Sequence, residues 1–320
     1  MREKVAPAVL LGVMLVSSTF LAIIFSLPFQ IVGYNTAFEN PESPTNPLIY
    51  IFFMVGISAL LLFAFRSGRG GGVGYLLYVG FGLILLYVLY PFFALALYYI
   101  GIRGTAVANV GFLCALIFSG FLMALNAVYR DWRLNDAVGV LIAGGGAALL
   151  GINFAILPSF VFLSGLAIYD FIAVYVTKHM LTLADGVLGI SAPMLVAVPR
   201  HGGRRRKKDG EIFRRGAIRK KVEGKEEPSA MYMGLGDMVV PGVLAASSIA
   251  FLPLHPVIGV WGPRLVALGV LAGISVAYVY LARMVLRGRP QAGLPFLNTG
   301  AVLGYVFMYL SLYRDLSLGM

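Results

Sequence analysis

SAMYMGLGDMVVPGVLAASSIAFL, residues Ser229 to Leu252, is long and apolar enough to cross a bilayer, yet it carries an acid, Asp237. A spanning helix needs about 20 apolar residues. A carboxylate inside one costs roughly 3 kcal/mol or more at the helix centre, so it is rare unless it works. A second stretch, SFVFLSGLAIYDFIAVYV from Ser159 to Val176, has the same character and carries Asp170. Of the 14 acidic residues, these two read as the ones deep inside apolar runs. They are the candidates for the chemistry.

The rest of the chain agrees with that setting. Hydrophobic residues make up 59% of it and charged residues only 12%, with a mean hydropathy of +0.87. Such a composition excludes an ordinary soluble domain. The runs are continuously apolar rather than alternating, which excludes a transmembrane β-barrel. The first run is longer than a signal-peptide core and has no clear cleavage site, so it reads as a retained helix. A lone cysteine, Cys114, leaves no intrachain disulfide. His179, His201 and His255 are scattered and show no metal-ligand spacing, so no metal and no cofactor is expected. The cluster Gly68 to Gly74 lacks a following Gly-Lys-Ser/Thr and reads as a plain loop.

Nine spans are expected, near 6–28, 48–65, 73–98, 105–128, 136–157, 159–180, 230–252, 263–286 and 292–313. Basic residues flank them unevenly. On one side fall 22 of the 25 Lys and Arg residues; the other receives Arg103, Arg264 and Arg314. The positive-inside rule makes the richer side cytoplasmic. The expected fold is therefore an all-α membrane protein of nine transmembrane helices, N-terminus cytoplasmic and C-terminus outside.

Three sections follow: helices one to six (1–182), a basic cytoplasmic loop (183–229) and helices seven to nine (230–320). From Pro199 to Ser229 the loop holds 12 Lys and Arg against 5 Asp and Glu. It reads as a mobile segment that either rests on anionic lipid or serves as a solvated topology signal. The net charge of +11 sits mostly in such loops, so nucleic-acid binding is not expected. Just upstream, Val187 to Val198 is apolar but too short to span, and is broken by Pro193. It fits an interfacial or strand-like segment.

Topology brings the two acids to one depth. Asp170 lies 8 residues before Lys178, and Asp237 lies 10 residues after Glu227. At about 1.5 Å per residue both would sit roughly 12–15 Å below the cytoplasmic charges. Gly234 and Gly236 weaken a helix and permit close approach, while Pro241 cannot donate to the carbonyl of Asp237. A kink is expected at the acid, in a wet site. Two carboxylates in such a site cannot both ionise cheaply. The charged one can deprotonate a water and the neutral one can polarise a carbonyl.

Tyr169-Asp170 in span six and Gly234-Leu235-Gly236-Asp237 in span seven resemble the YD and GxGD motifs of the presenilin and signal peptide peptidase family of intramembrane aspartyl proteases. That family carries Pro-Ala-Leu-Pro at the start of its ninth span, where this chain has Ala292-Gly293-Leu294-Pro295. The resemblance implies that Asp170 and Asp237 are the catalytic pair. It implies that Tyr169, Gly234, Leu235, Gly236 and residues 292–295 line the site and seat substrate. It also implies substrates that are transmembrane helices cut within the bilayer. The N-in orientation is presenilin-like and favours type I single-span substrates. The compact chain resembles prokaryotic, archaeal relatives in the cell membrane that meet lipids and substrates but need no obligate partner subunits.

The competing reading is a proton- or cation-coupled transporter using the same acids as a relay. Transporters of that kind show paired broken helices in two related halves, and this chain shows one broken span and no repeat. Serine proteolysis lacks its motif: Ser164-Gly165 has no preceding glycine, and no histidine lies within a span as partner. Prepilin-type peptidases share GxGD but lack the YD span.

Overall fold

The computed structural model describes residues 2–32, 36–66, 70–129, 131–177, 195–199, 230–287 and 291–320. Among these lie nine α-helices: α1 (Arg2–Val32), α2 (Asn46–Arg66), α3 (Gly70–Tyr99), α4 (Thr105–Val128), α5 (Trp132–Gly151), α6 (Ile156–Phe171), α7 (Leu235–Phe251), α8 (Trp261–Leu286) and α9 (Gly293–Tyr313). A π-helical turn, Ile172–Val176, extends α6. Strands β1 (Leu195–Pro199) and β2 (Ala230–Gly234) pair antiparallel, with Leu195 opposite Gly234 and Pro199 opposite Ala230. Seven helices are long and apolar enough to cross a membrane; Asn46–Leu61 of α2 and all of α7 are shorter apolar segments. The protein is a multi-pass membrane protein.

Outward-facing surfaces of the helices are apolar, as lipid demands. Phe52, Phe63, Ile117, Leu303 and Phe307 all stand exposed. At the centre runs α7, against which α1, α5, α6, α8 and α9 all pack. Its residues from Val240 to Ile249 are buried throughout. Small side chains make that crowding possible. A Cβ on Gly151 of α5 would lie 2.4 Å from Ala246 Cβ and 2.7 Å from the Val243 carbonyl. Without hydrophobic drive between helices in lipid, such close backbone approach is what holds them.

Helix boundaries correct several expectations. Asp131 caps α5, its side chain accepting from the Arg133 amide at 3.0 Å, so α5 starts before residue 136. Pro158 is the third residue of α6, where a missing N–H costs nothing, so that helix begins before it. The larger correction concerns span seven. Residues 230–234 are strand, because they pair with β1, and Gly234 is extended at φ −70° and ψ 143°. The helix runs on through Pro241 to Phe251, so the chain departs from helix ahead of Asp237 and not at the proline. The depth reckoned from Glu227 used a helical rise, whereas a strand advances about 3.3 Å per residue. The strand-like expectation upstream is met over Leu195–Pro199. The remainder of the basic loop lies outside the described residues.

Candidate active site

Asp170 sits near the end of α6 and is only 5% exposed. Its Oδ2 accepts the amide of Leu294 at 3.1 Å, and the Gly293 amide also faces it. Ala292 caps α9 with extended backbone and no side chain of the helix's own satisfies the first turn. The first amides of any helix lack intrahelical partners and carry the positive end of its dipole. Asp170 therefore caps α9 from a neighbouring helix, which offsets part of the cost of burying it.

Asp237 uses the same physics within its own helix. Asp237 is half-buried as a residue, third in α7, and its carboxyl reaches back to the amide of Gly234, the residue before the helix. That is the return half of a capping box. Asp237 and Asp170 are close enough to repel each other electrostatically. A Cβ on Gly293 would lie 3.2 Å from Cγ, Oδ1 and Oδ2 of Asp237. Consecutive residues of α9 thus meet both acids: Gly293 lies against Asp237 while Leu294 binds Asp170.

The other expected site residues divide. Ala292, Leu294 and Leu235 are buried around the pair, and Pro295 is half-buried in the first turn of α9. Tyr169 is half-buried on α6, about 100° around the helix from Asp170. Glycines at 234 and 236 are not demanded by crowding. A Cβ at Gly234 would make ordinary contact, 3.7 Å from Asp237 Oδ2, and one at Gly236 would meet nothing within 4 Å. The close approach expected of them belongs to Gly293.

Two features escaped the sequence reading. Asp136 is a third buried acid, fully inaccessible in α5. Its Oδ1 accepts the Ala197 amide at 3.0 Å, and Asn135 Nδ2 donates to the Leu195 carbonyl at 3.2 Å. These two consecutive side chains complete the edge of β1 that faces away from β2, and so brace the sheet that delivers Asp237. Asp136 Oδ2 has no partner among the described residues. The second feature is Tyr175, whose hydroxyl reaches the start of α9. A short polar Asn-Asp pair behind a helix cap hinted at the first. Nothing in an α-helical reading points to the second.

Residues 11–312 match the family profile described as signal-peptide peptidase, presenilin aspartyl protease. Among solved structures, a presenilin family intramembrane aspartate protease in space group C222 shares 31% identity over 94% of this chain and 98% of its own, with a TM-score of 0.62. A presenilin family intramembrane aspartate protease in space group P2 shares 32% identity over 93% and 95%, with a TM-score of 0.59. No curated protein matches the sequence. With the profile spanning nearly its whole length, the chain belongs to the signal-peptide peptidase and presenilin family of aspartyl proteases.

Proposed function

We propose that Asp170 and Asp237 are the catalytic dyad of this intramembrane aspartyl protease, and that it hydrolyses peptide bonds within transmembrane helices of single-span substrates. The observation that carries the reading is the contact of Gly293 and Leu294 with the two carboxyls. It supports acids from two helices meeting beside two helix N-termini whose amides lack intrahelical partners, where negative charge is tolerated.

The mechanism follows from one proton shared between two acids. The charged carboxylate takes a proton from a water as its oxygen attacks the scissile carbonyl carbon. The neutral carboxyl gives its proton to the carbonyl oxygen, producing a tetrahedral diol. Collapse breaks the C–N bond, the diol returns a proton to one carboxylate, and the other delivers its proton to the leaving nitrogen. No cofactor enters the cycle.

A helical substrate hides its backbone, so it must unwind to be cut. An extended segment then needs an edge to pair with, and β2, which leads into Gly234 and Asp237, is suited to receive one by strand addition. Open space beside Gly236 supports the same approach. The N-in orientation that the positive-inside rule gives is presenilin-like, and by that likeness the substrates are type I and the enzyme resides in the cell membrane.

The test uses purified protein in detergent with a tagged single-span substrate, followed by mass spectrometry. Cleavage inside the span by wild type, lost in both Asp170→Ala and Asp237→Ala, is the expected result. Activity surviving either change sinks the dyad.

A further inference from the structure

We propose that Tyr175 is a positioning residue of this site: its hydroxyl latches the start of α9, replacing by hydrogen bonds the rigidity that a proline supplies at that point in the family motif. The inference rests on the dyad reading above.

Three amides open α9, those of Ala292, Gly293 and Leu294, and none has a partner within the helix. Asp170 takes the last two. Ala292 donates instead to the Tyr175 hydroxyl at 3.3 Å, and that hydroxyl donates to Gln291 Oε1 at 2.7 Å. All three amides are thus met from α6 and its extension. The ring of Tyr175 is steadied by Phe171, with centroids 5.0 Å apart.

The π turn makes this reach possible. Asp170 and Tyr175 are five residues apart, which on an α-helix puts them about 140° apart in rotation. Between Ile172 and Val176 the chain bonds i to i+5, with the Thr177 amide on the Ile172 carbonyl at 2.9 Å. That wider turn carries Tyr175 back toward the face of Asp170.

The motif departure fits the latch. Ala292 stands where the family motif has its first proline, and its φ is −68°. A proline is locked near −65° and has no N–H. Ala292 holds the same torsion without a ring to enforce it, and its N–H is the one that Tyr175 takes. What the ring does covalently, the hydroxyl does here. Since the next two residues touch both acids, slack at Ala292 becomes slack in the dyad.

The experiment compares wild type, Tyr175→Phe and Tyr175→Phe/Ala292→Pro, with Asp170→Ala as the inactive control. Tyr175→Phe keeps the ring packing and removes only the hydroxyl. Cleavage kinetics should show kcat lower by roughly three- to tenfold, the worth of a hydrogen bond or two, with KM within about twofold. Ala292→Pro in that background should restore kcat, since the ring fixes the torsion unaided. Amide exchange at Gly293 and Leu294 provides a readout independent of cleavage, faster in Tyr175→Phe and returned by the proline. Unchanged kcat and exchange in Tyr175→Phe, or a proline that restores neither, overturns the latch. A wild type that cleaves nothing overturns the dyad reading, while exchange still decides the latch.

Discussion

The middle of α9 and its first turn are both held at close quarters, by opposite means. In the middle, backbone meets backbone. A Cβ on Gly273 of α8 would lie 2.1 Å from the Gly300 carbonyl oxygen, and one on Gly304 would lie 2.2 Å from that of Gly269. At the first turn, side chains reach to the helix end: Asp170 to Leu294, Tyr175 to Ala292, with Gly293 against the Asp237 carboxyl. Contact between two backbones can yield only by separating the helices. A carboxyl can shift by tenths of an ångström and remain bonded. The first arrangement fixes where α9 lies, and the second sets a geometry that chemistry can use.

The comparison is broken most severely in the middle. Gly273→Ala needs α8 and α9 to part by more than an ångström over a contact with no flexible atoms to give way. We expect a stability loss of about 3 kcal/mol, at the upper end of overpacking costs, and a large drop in melting temperature by scanning fluorimetry in detergent. Activity should fall only in proportion to the protein lost. A melting temperature unchanged by the substitution would mean that the helices are not locked there.

At the first turn the large effect moves from melting to turnover. Gly293→Ala installs the alanine of the family motif, with a Cβ 3.2 Å from the Asp237 carboxyl. The carboxyl must move by a few tenths of an ångström, so melting should change little. Because productive geometry is demanding, kcat should shift by about tenfold, measured as cleavage rate at saturating substrate. If melting fell and kcat held, the two ends of the comparison would be alike.

How much of this the sequence disclosed follows the same division. Asp170 and Asp237 were legible because an acid in an apolar run is costly wherever its partners lie. The small residues of α7, α8 and α9 were visible as glycines, but which of them touch cannot be read from one chain, since contact depends on helix rotation and crossing. The apolar character of residues 230–234 suits helix and strand alike, and only pairing with Leu195–Pro199 decides for strand. Asp136 was overlooked because it stands at the edge of a run, where an acid looks solvated. Tyr175 was hidden for a geometric reason: the turn that aims it is π-helical, and an α-helical count points it elsewhere.

Asp136 sharpens the contrast from the Asp237 side of the proposed dyad. It braces β1 through a single accepted hydrogen bond, and β1 registers Leu195 opposite Gly234. Asp136→Ala leaves the Ala197 amide buried without its acceptor, at a cost of about 1–3 kcal/mol. We expect kcat to fall severalfold, with faster amide exchange in residues 195–199. Asp136→Asn keeps an oxygen able to accept from Ala197 and should retain most of the activity. Equal damage from both substitutions would mean that the charge, rather than the brace, is what matters.

The smallest effect belongs to the far end of α9, where side-chain hydrogen bonds also abound but water competes with them. Ser317 donates its amide to Asp315 Oδ1 at 3.1 Å, and its hydroxyl donates to the other carboxylate oxygen. The Ser317 hydroxyl, then its amide, hold the Asp315 carboxyl below the usual carboxylate range. A group whose folded pKa is depressed contributes stability above its unfolded value, near 3.9, and loses it as pH falls through the folded value. Full exposure screens the effect. Asp315→Asn should therefore lower the melting temperature only slightly at neutral pH, and the difference should vanish in acid, as thermal melts in a pH series would record. Hydrogen bonds of the kind that hold Asp170 at one end of α9 do little at the other, because the bond from Leu294 to Asp170 is buried while those of Asp315 stand open to water. A large shift at Asp315 would remove that distinction.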